Sequence, residues 1–174
     1  MVSLDSPDQP AKVRHMQKAL IRDAIVTQLR RELELQARAA HESRAEATSV
    51  ENKAEGQYDM RSQEAAYLAE GQARFAAEIA ENISMYQTLE MPDFIAGSSV
   101  AIGALVTLEA QGRRNIYFLG PRNGGLEARV GEIDFVLVTP SSPLGRQLVG
   151  RKLSDAVQLP GRDGPVIHHI VGIL

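Results

Sequence analysis

The chain has 174 residues, of which 44% are hydrophobic and 24% charged, enough for one large or two small folded domains. Its net charge of −3 excludes a global basic surface for wrapping duplex nucleic acid, and the absence of Cys excludes disulfides and thiolate zinc sites. No apolar run approaches the roughly 20 residues of a membrane span, and the N-terminus lacks the features of a signal peptide, so we expect a cytoplasmic protein with no membrane partner.

The first half of the chain has the composition of long helices. Residues 1–10 are expected to form a flexible N-terminus. From Ala11 to Leu89 there is no Pro, and Ala, Glu, Arg and Gln dominate. Residues 11–91 carry an excess of acidic side chains, whereas residues 92–174 are nearly balanced. We therefore place a domain boundary near Pro92 and predict a helical hairpin over residues 11–91.

Two apolar stripes predict that this hairpin is an antiparallel coiled coil. The break between its helices is expected between His41 and Ala54, where large apolar residues vanish and Ser, Thr and Asn cluster. The first predicted stripe contains Ile21, Ile25, Leu29, Leu33, Ala37 and Ala40. The second contains Ala65, Leu68, Phe75, Ile79, Ile83 and Tyr86, with Gln72 at its one polar position.

The second half has the pattern of a small β-sheet with one short helix. Strands are expected over residues 100–108, 115–119, 133–138, 156–159 and 166–174, separated by Gly- and Pro-containing turns. Residues 143–149 are expected to form a helix that begins with Ser142 as N-cap and Pro143 at the first helical position. Gly150 then ends this helix in a left-handed conformation. The predicted fold class is α+β.

The order of motifs in this second half resembles that of the Gre-type transcript cleavage factors of bacterial RNA polymerase. The resemblance implies an FKBP-like domain over residues 92–174 that binds polymerase. Its polymerase-binding residues would be Ser142, Pro143, Leu144, Arg146 and Arg151. The segments that match are Ile116-Tyr117-Phe118-Leu119-Gly120, residues 136–139, Ser142-Pro143-Leu144-Gly145-Arg146 with Leu148, Gly150 and Asp155, and residues 164–174.

The first half is similar to the Gre coiled-coil hairpin, most specifically at its tip. Glu51, Lys53 and Tyr58 match the family pattern, with Lys53 and Tyr58 expected to support the tip. In the family the tip enters the secondary channel of the polymerase, where two acidic residues help to hold Mg²⁺. Here Ala54 replaces the second acid, and Glu55 lies one residue further on.

The resemblance implies a cofactor protein of RNA polymerase rather than an enzyme in its own right. Glu51 and Glu55 would act as the catalytic carboxylates and would share a Mg²⁺ ion with the polymerase, since this hard cation takes oxygen ligands. No tightly bound cofactor is expected. The partners would be bacterial RNA polymerase, through its secondary channel, and indirectly the 3′ end of the nascent RNA. The protein is expected to be a monomer.

Three alternatives remain. The chain could bind the channel without stimulating cleavage, a possibility that Ala54 favours. It could be a prolyl isomerase, which the low aromatic content of 5% disfavours, or a plain coiled-coil oligomeriser. The adjacent His168 and His169 are expected on opposite faces of a strand, so they cannot chelate one ion together.

Overall fold

A computed structural model describes residues 11–48, 60–162 and 164–174, which contain three helices and six strands. The described residues up to Ile25, together with Thr88–Leu174, form one compact unit, the sheet unit. The described residues between Val26 and Gln87 form a second, the hairpin unit. The elements are α1 (Ala11–Thr48), α2 (Met60–Thr88), β1 (Leu105–Ala110), β2 (Arg113–Leu119), β3 (Glu127–Val130), β4 (Ile133–Val138), α3 (Pro143–Leu148), β5 (Ala156–Gly161) and β6 (Gly164–Ile173).

The two long predicted helices are present, and the α+β class is confirmed. Helix α1 continues beyond His41 to Thr48, so its last turns occupy part of the segment predicted as a break. Ser43, which we assigned to that break, is a buried helical residue. Serine costs an α-helix only a few tenths of a kcal/mol, about 0.5 relative to Ala, so one such residue does not end it. Residues 49–59 lie outside the described part of the chain.

The packing seam of the hairpin unit differs from the predicted one on both helices. Leu68 and Phe75 are 56% and 43% exposed, and Ala37 is also exposed, so their assignment to the seam was wrong. The buried and half-buried positions instead recur at alternating steps of three and four residues, the spacing of a coiled coil. They include Val26, Leu29, Leu33, Gln36, Ala40 and Ser43 on α1, and Ala69, Gln72, Ala76, Ile79, Ile83 and Tyr86 on α2.

The sheet unit contains one mixed six-stranded sheet in the order β3-β4-β2-β1-β6-β5. Strands β2 and β4 pair in parallel, and the other neighbours pair antiparallel. The register of β1 against β6 shifts between Thr107 and Leu108. The strand predicted from residue 100 begins only at Leu105, because Gly103 adopts φ +92° and turns the chain. Strand β3, which is short and carries two charges, was not predicted.

The main core of the sheet unit lies on the sheet face that α3 covers. It joins Val106, Leu108, Leu119, Val138, Val157 and Ile170 of the strands to Leu148 of α3 and to Phe94, Val100 and Ala104 of the preceding segment. Tyr117 packs against this core, and burial raises the pKa of its phenol. On the other face Phe118 and Phe135 meet edge to face with ring centroids 6.4 Å apart. Both faces of the central strands are therefore buried.

A buried lysine joins the start of α1 to the segment between α2 and the sheet. Lys18 is only 4% exposed, and its ammonium lies 2.7 Å from Oδ1 of Asp93. It also donates to the carbonyl oxygen of Pro92 and, at 3.4 Å, to that of Met91, and it lies 5.7 Å from the ring centroid of Phe94. These four neighbours fix residues 91–94 against α1 within the sheet unit.

Candidate interaction surface

The corner around α3 is built by local hydrogen bonds that its sequence predicts. Ser142 caps the helix: its Oγ accepts a hydrogen bond from the N–H of Gly145 at 3.0 Å and donates to the carbonyl oxygen of Thr139 at 2.8 Å. Pro143 occupies the first helical turn, where its missing N–H costs nothing. The predicted N-cap and helix start are confirmed.

Two glycines are required at this corner for different reasons. A Cβ on Gly145 would lie 1.8 Å from the carbonyl oxygen of Thr139, so only glycine allows the helix to approach the end of β4 this closely. Gly150 follows the C-cap residue Val149 and has φ +79°, the left-handed conformation predicted for it. The Gly150 N–H then donates to the carbonyl oxygen of Val100 at 2.9 Å.

The five residues assigned to polymerase binding lie on this corner but differ in exposure. Leu144 packs against the core, and Ser142 is half-buried with its hydroxyl occupied by the cap. Pro143, Arg146 and Arg151 are exposed. Leu144 and Ser142 therefore shape the corner, whereas the three exposed residues are accessible to a partner.

Exposed apolar side chains lie beside these accessible residues, and the sequence alone did not single them out. Val149 and Leu153 are 48% and 50% exposed. Backbone hydrogen bonds of Val100 with Gly150 and Arg151 hold residues 100–102 alongside, with Ile102 39% exposed. We call this the corner surface, and its members are Ile102, Pro143, Arg146, Val149, Arg151, Lys152 and Leu153.

Three cations give the corner surface a positive charge. Arg146 donates to the carbonyl oxygen of Ser141, and Arg151 Nε donates to that of Gln147 at 3.3 Å. Within the described residues, neither arginine nor Lys152 forms an ion pair with a carboxylate. The surface therefore combines apolar contact area with positive charge, beside which the Asp155 carboxylate accepts a hydrogen bond from the Lys152 N–H at 2.9 Å. This combination suits an acidic protein surface with an apolar ridge.

The side-chain amide of Gln147 secures α3 to the outer strand of the sheet. Its Nε2 donates to the carbonyl oxygen of Gln158 at 2.9 Å, and its Oε1 accepts from the Gln158 N–H at 2.8 Å. Because β5 is an edge strand, it has no neighbouring strand on its outer side. The Gln147 amide forms the hydrogen bonds with the backbone of Gln158 that such a strand would form. The contact helps to hold α3, and hence the corner surface, in position.

The predicted tip residues Glu51, Lys53, Ala54, Glu55 and Tyr58 lie outside the described residues. Within the described part of the chain, no group of three or more His, Asp or Glu side chains is arranged to hold a metal ion. His168 is half-buried with Nδ1 3.1 Å from the carbonyl oxygen of Val166, whereas His169 is exposed. In the described residues, none of the helices is both long and apolar enough to cross a bilayer.

Comparisons with known proteins give structural matches only. No protein-family model matches the chain, and no curated protein matches it. The chain is similar to the solved structure of the transcription factor Gfh1, with 20% identity and a TM-score of 0.36 over 86% of this chain and 93% of that one. GreA factor homolog 1 (Gfh1) of Thermus thermophilus gives 20% identity and a TM-score of 0.35, covering 87% and 95% of the two chains.

A further structure is the prokaryotic transcription elongation factor GreA/GreB from Nitrosomonas europaea. It shares 16% identity, with a TM-score of 0.34 over 64% of this chain and 91% of that chain. By name, all three are GreA or GreB factors or their homologues.

Proposed function

We propose that this protein is a Gre-type elongation factor that binds bacterial RNA polymerase at its secondary channel. The observation that carries the proposal is the corner surface, where exposed apolar side chains and three exposed cations lie on the segment whose sequence resembles the polymerase-binding motif of the family. The sheet unit would dock through this surface, and the protein would act as a monomer in the cytoplasm.

The tip residues supply the chemical part of the proposal. Glu51 and Glu55 would approach the catalytic centre of the polymerase, near the 3′ end of a backtracked RNA, with Lys53 and Tyr58 supporting the tip. Carboxylate oxygens are suitable ligands for Mg²⁺, and residues four apart share one face where the chain is helical. A Mg²⁺ ion held there would stabilise the attacking and leaving oxygens during hydrolysis. The polymerase supplies the reaction, so the protein is a cofactor protein rather than an enzyme.

A second candidate function is binding to the channel without stimulation of cleavage. The observation that favours it is Ala54, which stands where the family pattern has its second acid. One carboxylate fewer leaves less negative charge to offset the dehydration of a hard cation. The protein would then occupy the channel and alter elongation without assisting hydrolysis.

A stalled, backtracked elongation complex distinguishes these functions, with RNA length as the readout. If the factor stimulates cleavage, Glu51→Ala should abolish the effect while polymerase binding is retained, and Ala54→Glu should increase it. Glu64→Ala, at an exposed position of α2, is the matched control. If the wild type and Ala54→Glu both bind but leave the RNA uncut, the non-cleaving function is correct. If the protein does not bind polymerase, both candidates are wrong.

A further inference from the structure

The hairpin unit leaves large apolar residues outside its seam while small ones occupy it. Leu68 and Phe75 are 56% and 43% exposed. The next residue along the chain in each case, Ala69 and Ala76, lies on the seam. Burial of a large apolar side chain stabilises a protein far more than burial of an Ala methyl group. The observed packing therefore leaves part of the hydrophobic stabilisation available to this part of α2 unused.

On α2, the observed seam and the seam that the apolar pattern predicts share most of their residues. Gln72, Ile79, Ile83 and Tyr86 belong both to the observed seam and to the one that the apolar pattern predicts. Among the side chains that the structure describes, the two differ at the positions of Leu68 and Phe75, which the observed seam replaces by Ala69 and Ala76; the predicted Ala65 lies outside them. With 3.6 residues per turn, the centres of the two faces lie about 65° apart, so the exchange rotates this part of α2 by that angle and requires a local change of helical twist just before Ile79. The segment from Ile79 to Tyr86 would remain in place.

The observed packing between the helices contains few interactions that would prevent this rotation. A groove of about 520 Å³ between the helices is lined mainly by alanines: Ala37, Ala40, Ala66, Ala69 and Ala73, with His41, Arg44 and Glu70. Small side chains form shallow ridges, so they interdigitate weakly with a neighbouring helix. The shared residue Gln72 has its Oε1 buried without a hydrogen-bond partner among the described residues. An unsatisfied buried acceptor further weakens this packing.

We propose that the part of α2 before Ile79 is a two-state element, which exchanges between the alanine seam and a seam that buries Leu68 and Phe75. The segment from Ile79 to Tyr86 anchors both states. The proposal concerns the hairpin unit by itself, so it is independent of binding to polymerase. The exchange would change the face that this part of α2 presents to solvent.

Fluorine NMR of the full chain tests the exchange directly, because the sequence has only four Phe residues. Phe94, Phe118 and Phe135 are at most 8% exposed, so fluorophenylalanine at position 75 has a distinct environment. Phe75→Leu identifies its signal. We expect relaxation dispersion at Phe75, with a second, buried environment populated at about 1–10%, and no matching dispersion at the other three.

A substitution that fills the alanine seam should suppress the exchange. Ala69→Leu places a larger side chain at the groove and favours the observed packing, so the population of the second environment should fall at least tenfold. Ala77→Leu, at an exposed position on the same helix, is the control and should leave it unchanged. A single Phe75 signal without dispersion overturns the proposal, as does dispersion that responds equally to both substitutions.

Discussion

Lys18 and Asp93 are 75 residues apart in the chain, yet the Lys18 ammonium lies 2.7 Å from a carboxylate oxygen of Asp93. The lysine is almost fully buried, whereas Asp93 is about half-exposed. Burial of a charge is costly unless hydrogen bonds compensate it, and here the carbonyl oxygens of Met91 and Pro92 complete the set of acceptors. This relationship fixes the segment that enters the sheet unit after α2.

Replacement of Lys18 should loosen that segment. Lys18→Met keeps much of the apolar stem but leaves the carbonyl acceptors without their donor, so the free energy of unfolding should fall by about 1–3 kcal/mol. Urea denaturation measures the loss, and hydrogen exchange should increase at the amides of residues 93–95. Lys152→Met, at an exposed lysine of the same unit, is the control and should change stability by less than about 0.5 kcal/mol. If Lys18→Met and Lys152→Met had the same free energy of unfolding, the buried contacts of Lys18 would not stabilise the protein.

The close approach of α3 to β4 should make Gly145 intolerant of any side chain. In Gly145→Ala the new Cβ would overlap the carbonyl oxygen of Thr139, and neither backbone segment can move without disturbing the Ser142 cap. We expect a loss of about 3 kcal/mol or more in the free energy of unfolding, measured by thermal or urea denaturation.

Gly71→Ala is the matched control for that substitution. Gly71 lies within α2, and a Cβ there would meet no atom within 4 Å. Alanine favours the helix, so this variant should be stabilised by up to about 1 kcal/mol. Comparable losses in both variants would contradict the clash at Gly145.

The amide clasp between Gln147 and the edge strand should depend on a hydrogen-bond donor. Gln147→Glu has nearly the same shape, but its carboxylate cannot donate to the carbonyl oxygen of Gln158 and instead faces it. The free energy of unfolding should fall by about 1–2 kcal/mol at neutral pH. Part of this loss should be recovered at acidic pH, where a protonated Glu donates again. Gln111→Glu, at an exposed position in the turn between β1 and β2, should show neither effect.

The sequence predicted those parts of the fold that depend on interactions between residues close together in the chain. The long helices follow from a Pro-free composition, and the start of α3 follows from the cap between Ser142 and Gly145, three residues apart. The coiled-coil seam was less predictable, because apolar residues lie at neighbouring positions, and the sequence pattern favoured Phe75 where the structure buries part of Ala76. The choice between such stripes depends on the facing helix.

The candidate surface was only partly predictable for a similar reason. Arg146 and Arg151 are found within a local motif, but the exposure of Val149 and Leu153 is a tertiary property. Ile102 joins them only because Val100 pairs with Gly150 and Arg151, about fifty residues later in the chain. The buried Lys18 had no local signal, since its acceptors lie more than seventy residues away.

Titration of core RNA polymerase with charge-reversal variants of the full-length protein tests the proposed docking most directly. Arg146→Glu with Arg151→Glu reverses two exposed charges of the corner surface while Ser142, Gly145 and Leu148, which hold the corner together, stay intact. We expect polymerase binding to weaken tenfold or more, or at least about 1.4 kcal/mol, whereas Arg162→Glu, at an exposed residue away from this corner, should have little effect. Wild-type affinity in the folded double variant would contradict docking through the corner surface.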